Sequence, residues 1–149
     1  VAFVNYLFMS IAFFIVYALI KPDAFNINMF LYFPGSIIIF LFCLGIVNIV
    51  SIVNLYLRDY AYIQSILLQI LFYITPVIYS IEVMDQRGFS GIYKYNPFYY
   101  VVDIIRQSML GTSEIGIFNW LVSIILSLSL FLGSVYLTKK VGRKIVYQF

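Results

Sequence analysis

Apolar residues in this chain come in long unbroken runs, not in the alternation of strands or the one-sided stripes of surface helices. Four runs stand out, at about 1–20, 31–56, 60–81 and 115–138. Charged or helix-breaking residues close each of them. Lys21-Pro22-Asp23 follows the first, Arg58-Asp59 the second, Glu82, Asp85 and Arg87 the third, and Lys139-Lys140 the fourth. A bilayer core about 30 Å thick takes roughly 20 apolar residues in a helix. Only helices and closed barrels satisfy their backbone in lipid, and runs this long and unalternating do not suit barrel strands. The expectation is an all-α integral membrane chain with four transmembrane helices. The second run extends over 29–57 in its full apolar length, so it tilts or leaves its Pro34-Gly35 end at the interface.

A fifth, shorter helix is expected at about 96–110. Asn96 is a good N-cap, Pro97 suits the first helical position, and Gly111 suits the C-terminal cap. Phe98, Val101, Val102, Ile105 and Met109 recur at helical spacing, while Asp103 and Arg106 share the opposite face. At about 14 residues it is too short to cross, so it should lie in the interface or dip in as a re-entrant element.

Composition agrees with the pattern. Of 149 residues 64% are apolar and 10% charged, against roughly 25% charged in soluble domains. Nine basic and six acidic residues give a net charge of +3, too few and too scattered for a nucleic-acid footprint. There is no histidine, and Cys43 is the one cysteine, so a disulfide framework or cysteine metal site within one chain is excluded. No glycine loop that could cradle phosphates occurs either. Glu82, Asp85 and Asp103 could serve a catalytic site at the outer surface; read plainly, they are solvated loop charges and a helix-surface pair. The chain opens on Val1 with an apolar run and no basic n-region, which reads as the middle of a longer protein and not as a signal peptide.

Charge also sets an expected orientation. Lys139, Lys140, Arg143 and Lys144 belong in the cytoplasm by the positive-inside rule. Four crossings place the Arg58-Asp59 turn there too, with the connections at 21–28 and 82–114 outside and 139–149 as a cytoplasmic tail.

The third run carries the most information. Tyr62, Ser65, Gln69, Tyr73, Pro76 and Ser80 fall within an arc of roughly 80° on a helix. They either line a polar path or hydrogen-bond along a seam with a neighbouring helix. In the fourth run Gly116, Ser123, Ser127 and Ser134 form a stripe of small residues suited to close helix packing. Asn48, Ser51 and Asn54 drift around the second helix, as interhelical hydrogen bonds or as a response to the nearby interface.

Four short strings occur in order. Asn54-Leu55-Tyr56-Leu57-Arg58-Asp59 forms the turn, and Phe72-Tyr73-Ile74-Thr75-Pro76-Val77-Ile78-Tyr79 ends the third run. Asn96-Pro97-Phe98-Tyr99-Tyr100 opens the short helix, and Arg106-Gln107-Ser108-Met109-Leu110-Gly111 closes it. This set resembles the permease subunits of ABC-2-type exporters, most closely the polysaccharide branch that exports O-antigen and teichoic acid. The resemblance is strong over about 50–112. It implies the last four of six membrane helices, a homodimer, and a separate nucleotide-binding ATPase that holds ATP and magnesium. This chain itself would carry no cofactor and no catalytic residues. It implies a lipid-linked glycan as substrate and a place in the plasma membrane of a bacterium or archaeon. It further implies that the third helix lines the channel. Asn96, Pro97, Tyr100, Asp103 and Arg106 would then form an extracellular gate, with Arg58-Asp59 at the cytoplasmic turn. Drug and lipid exporters share this architecture, and a membrane-embedded enzyme of envelope-glycan synthesis is the reading from another class. The 14 Tyr and 15 Phe suit stacking on sugars and equally suit interfacial belts.

Overall fold

The computed structural model describes residues 2–20, 27–57, 59–75, 92–110 and 116–146. These form α1 (Ala2–Ile20), α2 (Tyr32–Tyr56), α3 (Tyr60–Ile74), α4 (Pro97–Leu110) and α5 (Ile117–Val146). Short 3-10 turns at Ile27–Leu31 and Ile92–Tyr95 lead into α2 and α4. No strand occurs among the described residues. Three stretches are long and apolar enough to cross a membrane: Ala2–Ile20, Ile27–Tyr56 and Ile117–Gly142. The architecture is that of an all-α integral membrane protein.

Two boundaries differ from expectation. The third helix, expected to run to 81, stops at Ile74, and with 15 residues it falls short of span length. Thr75 is extended, with φ −83° and ψ 125°. The next residue is Pro76, whose ring disfavours the helical region for the residue before it. Pro76, Ser80 and the rest of that expected span lie outside the described residues. The fifth helix overruns in the other direction. It continues to Val146, so Lys139 and Lys140 ride on a helix and not in a tail. Neither proline nor a cluster of turn residues interrupts that stretch, and a side chain at Gly142 would meet open space.

The core is a three-helix unit of α2, α4 and α5. Lipid is as apolar as leucine, so helices associate here through close packing and hydrogen bonds and not through hydrophobic exclusion. Small residues bring α2 and α5 together. Gly35 lies beside Trp120, Gly45 against Leu130 and Phe131, and Asn48 Nδ2 donates to Ser134 Oγ at 3.4 Å. These pairs ascend together, so the two helices run parallel. A Cβ on Gly45 would sit 2.9 Å from the Leu130 carbonyl carbon and 3.0 Å from the Phe131 nitrogen. The α5 stripe is buried at Ser123, Ser127 and Ser134. Ser127 Oγ is buried without a hydrogen-bond partner among the described residues. Small volume, not the hydroxyl, therefore explains that position, and the stripe is a packing surface. Asn48 takes the interhelical role, while Ser51 and Asn54 are exposed.

α1 attaches along an adjoining face of α2. Phe3 stacks near Phe40 with centroids 4.3 Å apart, Tyr6 meets Ser36 at 3.4 Å, and Ser10 hydrogen-bonds the Tyr32 hydroxyl. These pairs descend along α2 as α1 ascends, so the two helices are antiparallel. Ser10 also donates to the Tyr6 carbonyl and Ser36 to the Tyr32 carbonyl, each at 2.7 Å. This hydroxyl ladder gives α1 a polar seam in an otherwise apolar surface. Nothing in the hydropathy pattern of the first run singles it out.

Candidate functional site

α4 does not lie flat on a surface. Its Phe98 ring meets Phe42 of α2 with centroids 5.0 Å apart, and Ile105 reaches Gly35. α4 thus runs antiparallel to α2, starting level with Phe42, about the middle of the 30-residue span Ile27–Tyr56. Where α2 crosses the membrane, this packing sets α4 alongside the span and not across its end.

The start of α4 is tied to the end of α3. Asn96 Oδ1 accepts the Phe98 N–H at 3.0 Å, capping α4. Asn96 Nδ2 donates to Thr75 Oγ1 at 2.8 Å, and Thr75 Oγ1 donates to the Leu71 carbonyl at 2.8 Å. Thr75 is buried. One amide therefore caps one helix and closes onto the last turn of another, joining the Thr-Pro and Asn-Pro strings. Replacing Asn96 with Ala removes both the cap and the tie. Together these should cost roughly 1–3 kcal/mol, summing a typical cap and a net hydrogen bond. Asn96→Ser keeps an uncharged capping oxygen and loses the amide donor, so its thermal melting temperature in detergent should fall between those of Asn96→Ala and the unaltered protein.

The far end of α4 is tied to α5. Asp103 Oδ2 accepts from Gln107 Nε2 and from Asn119 Nδ2, each at 2.6 Å. Gln107 Oε1 accepts the Gly116 N–H at 3.1 Å, satisfying one of the donors at the head of α5. Asp103 is buried, at 7% exposure. This corrects the expectation of a solvated acid on a polar outer face shared with Arg106. α4 is covered on several sides: Tyr99, Val101, Asp103, Ile104 and Ser108 are all buried, and Arg106 is half-buried. A one-sided periodicity argument misses this because two amides make the polar side fit for burial. Gln107, four residues after Asp103, could have been found by helical spacing. Asn119, sixteen residues on, carries no local signal.

Two other gate candidates are placed as follows. Pro97 is exposed at the first position of α4. Tyr100 donates its hydroxyl to the Lys94 carbonyl at 2.9 Å, and its ring lies 6.4 Å from Phe118. At the turn before α3, Asp59 is exposed and makes no side-chain cap. Arg58 lies outside the described residues.

α3 stands apart from the core. Thr75 is its buried point, at the end where it meets Asn96, with Gln64 and Leu71 half-buried on the same side. Tyr62, Ser65, Gln69 and Tyr73 lie on the opposite side and are exposed, Tyr62 at 77% and Tyr73 at 64%. The described residues put no helix of this chain against that face. Ser65 meets its own hydrogen-bonding need by donating to the Tyr62 carbonyl at 2.7 Å.

Three stretches long and apolar enough to cross a membrane, packed with a shorter helix that runs back along α2, define a polytopic membrane protein. Residues 2–110 match the model of the ABC-2 type transporter family. The chain belongs to that family and is a membrane component of a transport system. No curated protein and no solved structure matches it.

Proposed function

We propose that this chain is the membrane-crossing part of the permease subunit of an ATP-driven ABC exporter. Its helices correspond to the last four of six, two copies enclose the path, and a separate ATPase subunit binds ATP and magnesium. The substrate is a lipid-linked polysaccharide of the O-antigen or teichoic-acid type. The protein sits in a bacterial or archaeal plasma membrane with the basic end of α5 in the cytoplasm. The order of the four strings supports the polysaccharide branch, and the basic cluster supports the orientation.

The observation that carries the reading is the exposed polar face of α3. In lipid, polar side chains gather toward a bundle interior or a water-filled cavity. Since that face avoids its own bundle, a path between two protomers accounts for it. Gln69→Trp should block export by bulk while dimer yield and melting temperature stay near normal. Export and assembly are measured on the same membranes, with Ile70→Trp as the off-face control. Joint loss of export and assembly would instead mark a packed seam, where overpacking costs roughly 1–3 kcal/mol. Normal export in Gln69→Trp would remove this face from the mechanism.

A further inference from the structure

The 3-10 turn Ile92–Tyr95 precedes Asn96, whose side chain caps α4 and holds Thr75. Phe98, the second residue of α4, is level with Phe42 at the middle of the Ile27–Tyr56 span. Lys94 and Tyr95 therefore lie near mid-span, where half the hydrocarbon thickness is about 15 Å. Both are exposed, Tyr95 at 92%, the Lys94 carbonyl is held by the Tyr100 hydroxyl, and no carboxylate pairs with the Lys94 ammonium among the described residues. A four-carbon stem reaches an interface only from near the end of a span. An ammonium group held this deep costs several kcal/mol against lipid, and such groups face water-filled cavities or substrate pathways.

We infer that Lys94 and Tyr95 form an anion ledge in the translocation path that binds a phosphate group of the transported molecule. The ammonium supplies a compact point charge for phosphate oxygens, and the Tyr95 hydroxyl can donate to them. The Thr75–Asn96 bond sets the ledge beside the last turn of α3, on the packed side of that helix and level with the end of the Gln69 and Tyr73 face. Which molecule carries the phosphate rests on the export reading. The hydration and charge of the ledge do not.

The test uses the full-length protein in native membranes on a Cys43→Ala background. Tyr95→Cys should react with water-soluble methanethiosulfonates, and faster with the anionic sulfonatoethyl reagent than with the cationic trimethylammonium one. Adding Lys94→Gln should abolish that preference. Inorganic pyrophosphate should slow labelling severalfold with Lys94 present and not with Gln in its place. No labelling by either reagent overturns the ledge, because the residue then faces lipid or protein. Labelling without charge preference, or pyrophosphate protection that survives Lys94→Gln, overturns the anion site. Reconstitution separates the two sources of phosphate. Protection that persists in vesicles of phosphatidylcholine with phosphatidylglycerol supports a transported ligand. Protection seen only in pure phosphatidylcholine means bilayer phospholipid fills the ledge and overturns that assignment. A protein that shows the full pattern yet exports nothing would sink the export reading alone, and an exporter without the pattern would sink only the ledge.

Discussion

Gly45→Leu is expected to separate α2 from α5 and leave little protein able to assemble in the membrane. A Cβ at this position already comes within 3.0 Å of the backbone of Leu130 and Phe131. Backbone cannot rotate aside as a flexible side chain does, so the whole of α5 must move. Moving it forfeits the dispersion contacts along Ser123, Ser127 and Ser134 and lengthens the Asn48–Ser134 bond, already at 3.4 Å. Overpacking alone costs roughly 1–3 kcal/mol in a core that can relax locally. The rigid neighbour puts this site at the upper end or beyond. Gly45→Ala should melt clearly lower than the unaltered protein, and Gly45→Leu should lose most of its yield after mild detergent extraction. Gly35→Ala is the informative comparison. There the nearest atoms are the ends of the Ile105 and Trp120 side chains, at 3.2 and 3.6 Å, and those can give. Ser127→Ala removes a hydroxyl with no partner among the described residues and leaves the volume nearly unchanged, so its melting temperature should hold or rise. If Gly45→Leu extracts and melts normally, the α2–α5 contact is not what holds this unit together.

The contrast between Gly45 and Ser127 shows what hydropathy can and cannot convey. Three of the four expected spans are legible because about 20 apolar residues in a row have one stable solution in a bilayer. The stripe at Ser123, Ser127 and Ser134 was legible for the same physical reason, since small residues in lipid exist to bring helices close. Its partner was not legible. Gly45 is one glycine in a long apolar run, and only the register of α2 against α5 reveals what it touches. The short helix was placed well by Asn96 and Pro97, because a cap and a first-turn proline act locally. Its surroundings were misjudged, because its polar side is satisfied by Asn119 on a different helix. The end of α3 at Ile74 could have been read from Pro76, but a run of apolar residues on both sides of it concealed the break. The polar set Tyr62, Ser65, Gln69 and Tyr73 stands out by spacing, which does not choose between path and seam. The structure sets it away from the packed side of α3, as it does most of that helix.

Asp103→Leu should unlock α4 from α5. One carboxylate oxygen takes both the Gln107 and the Asn119 amide at 2.6 Å. Leucine leaves two half-buried donors without that acceptor, and a stranded donor costs about 1–3 kcal/mol when it is fully buried. Gln107 would then orient poorly toward the Gly116 N–H, so the head of α5 loses a partner as well. Had Asp103 been a solvated charge on an outer face, the same substitution would shift stability by no more than about 0.5 kcal/mol. A large fall in melting temperature therefore separates the two environments. Asp103→Asn can keep its amide oxygen where Oδ2 accepts both donors and loses the charge, so it should fall between leucine and the unaltered protein. The decisive variant is the double one. If the loss in Asp103→Leu comes from stranded donors, adding Asn119→Leu removes one of them and should restore part of the stability. The two substitutions would then be strongly non-additive, as residues sharing one network are. If Asp103 acts instead through general burial of a charge, the second substitution adds its own cost and the losses sum. Limited proteolysis reports the same difference at another level. Cleavage after Arg106, which is half-buried here, should appear in Asp103→Leu and recede in the double variant, because only a detached α4 presents that bond to a protease.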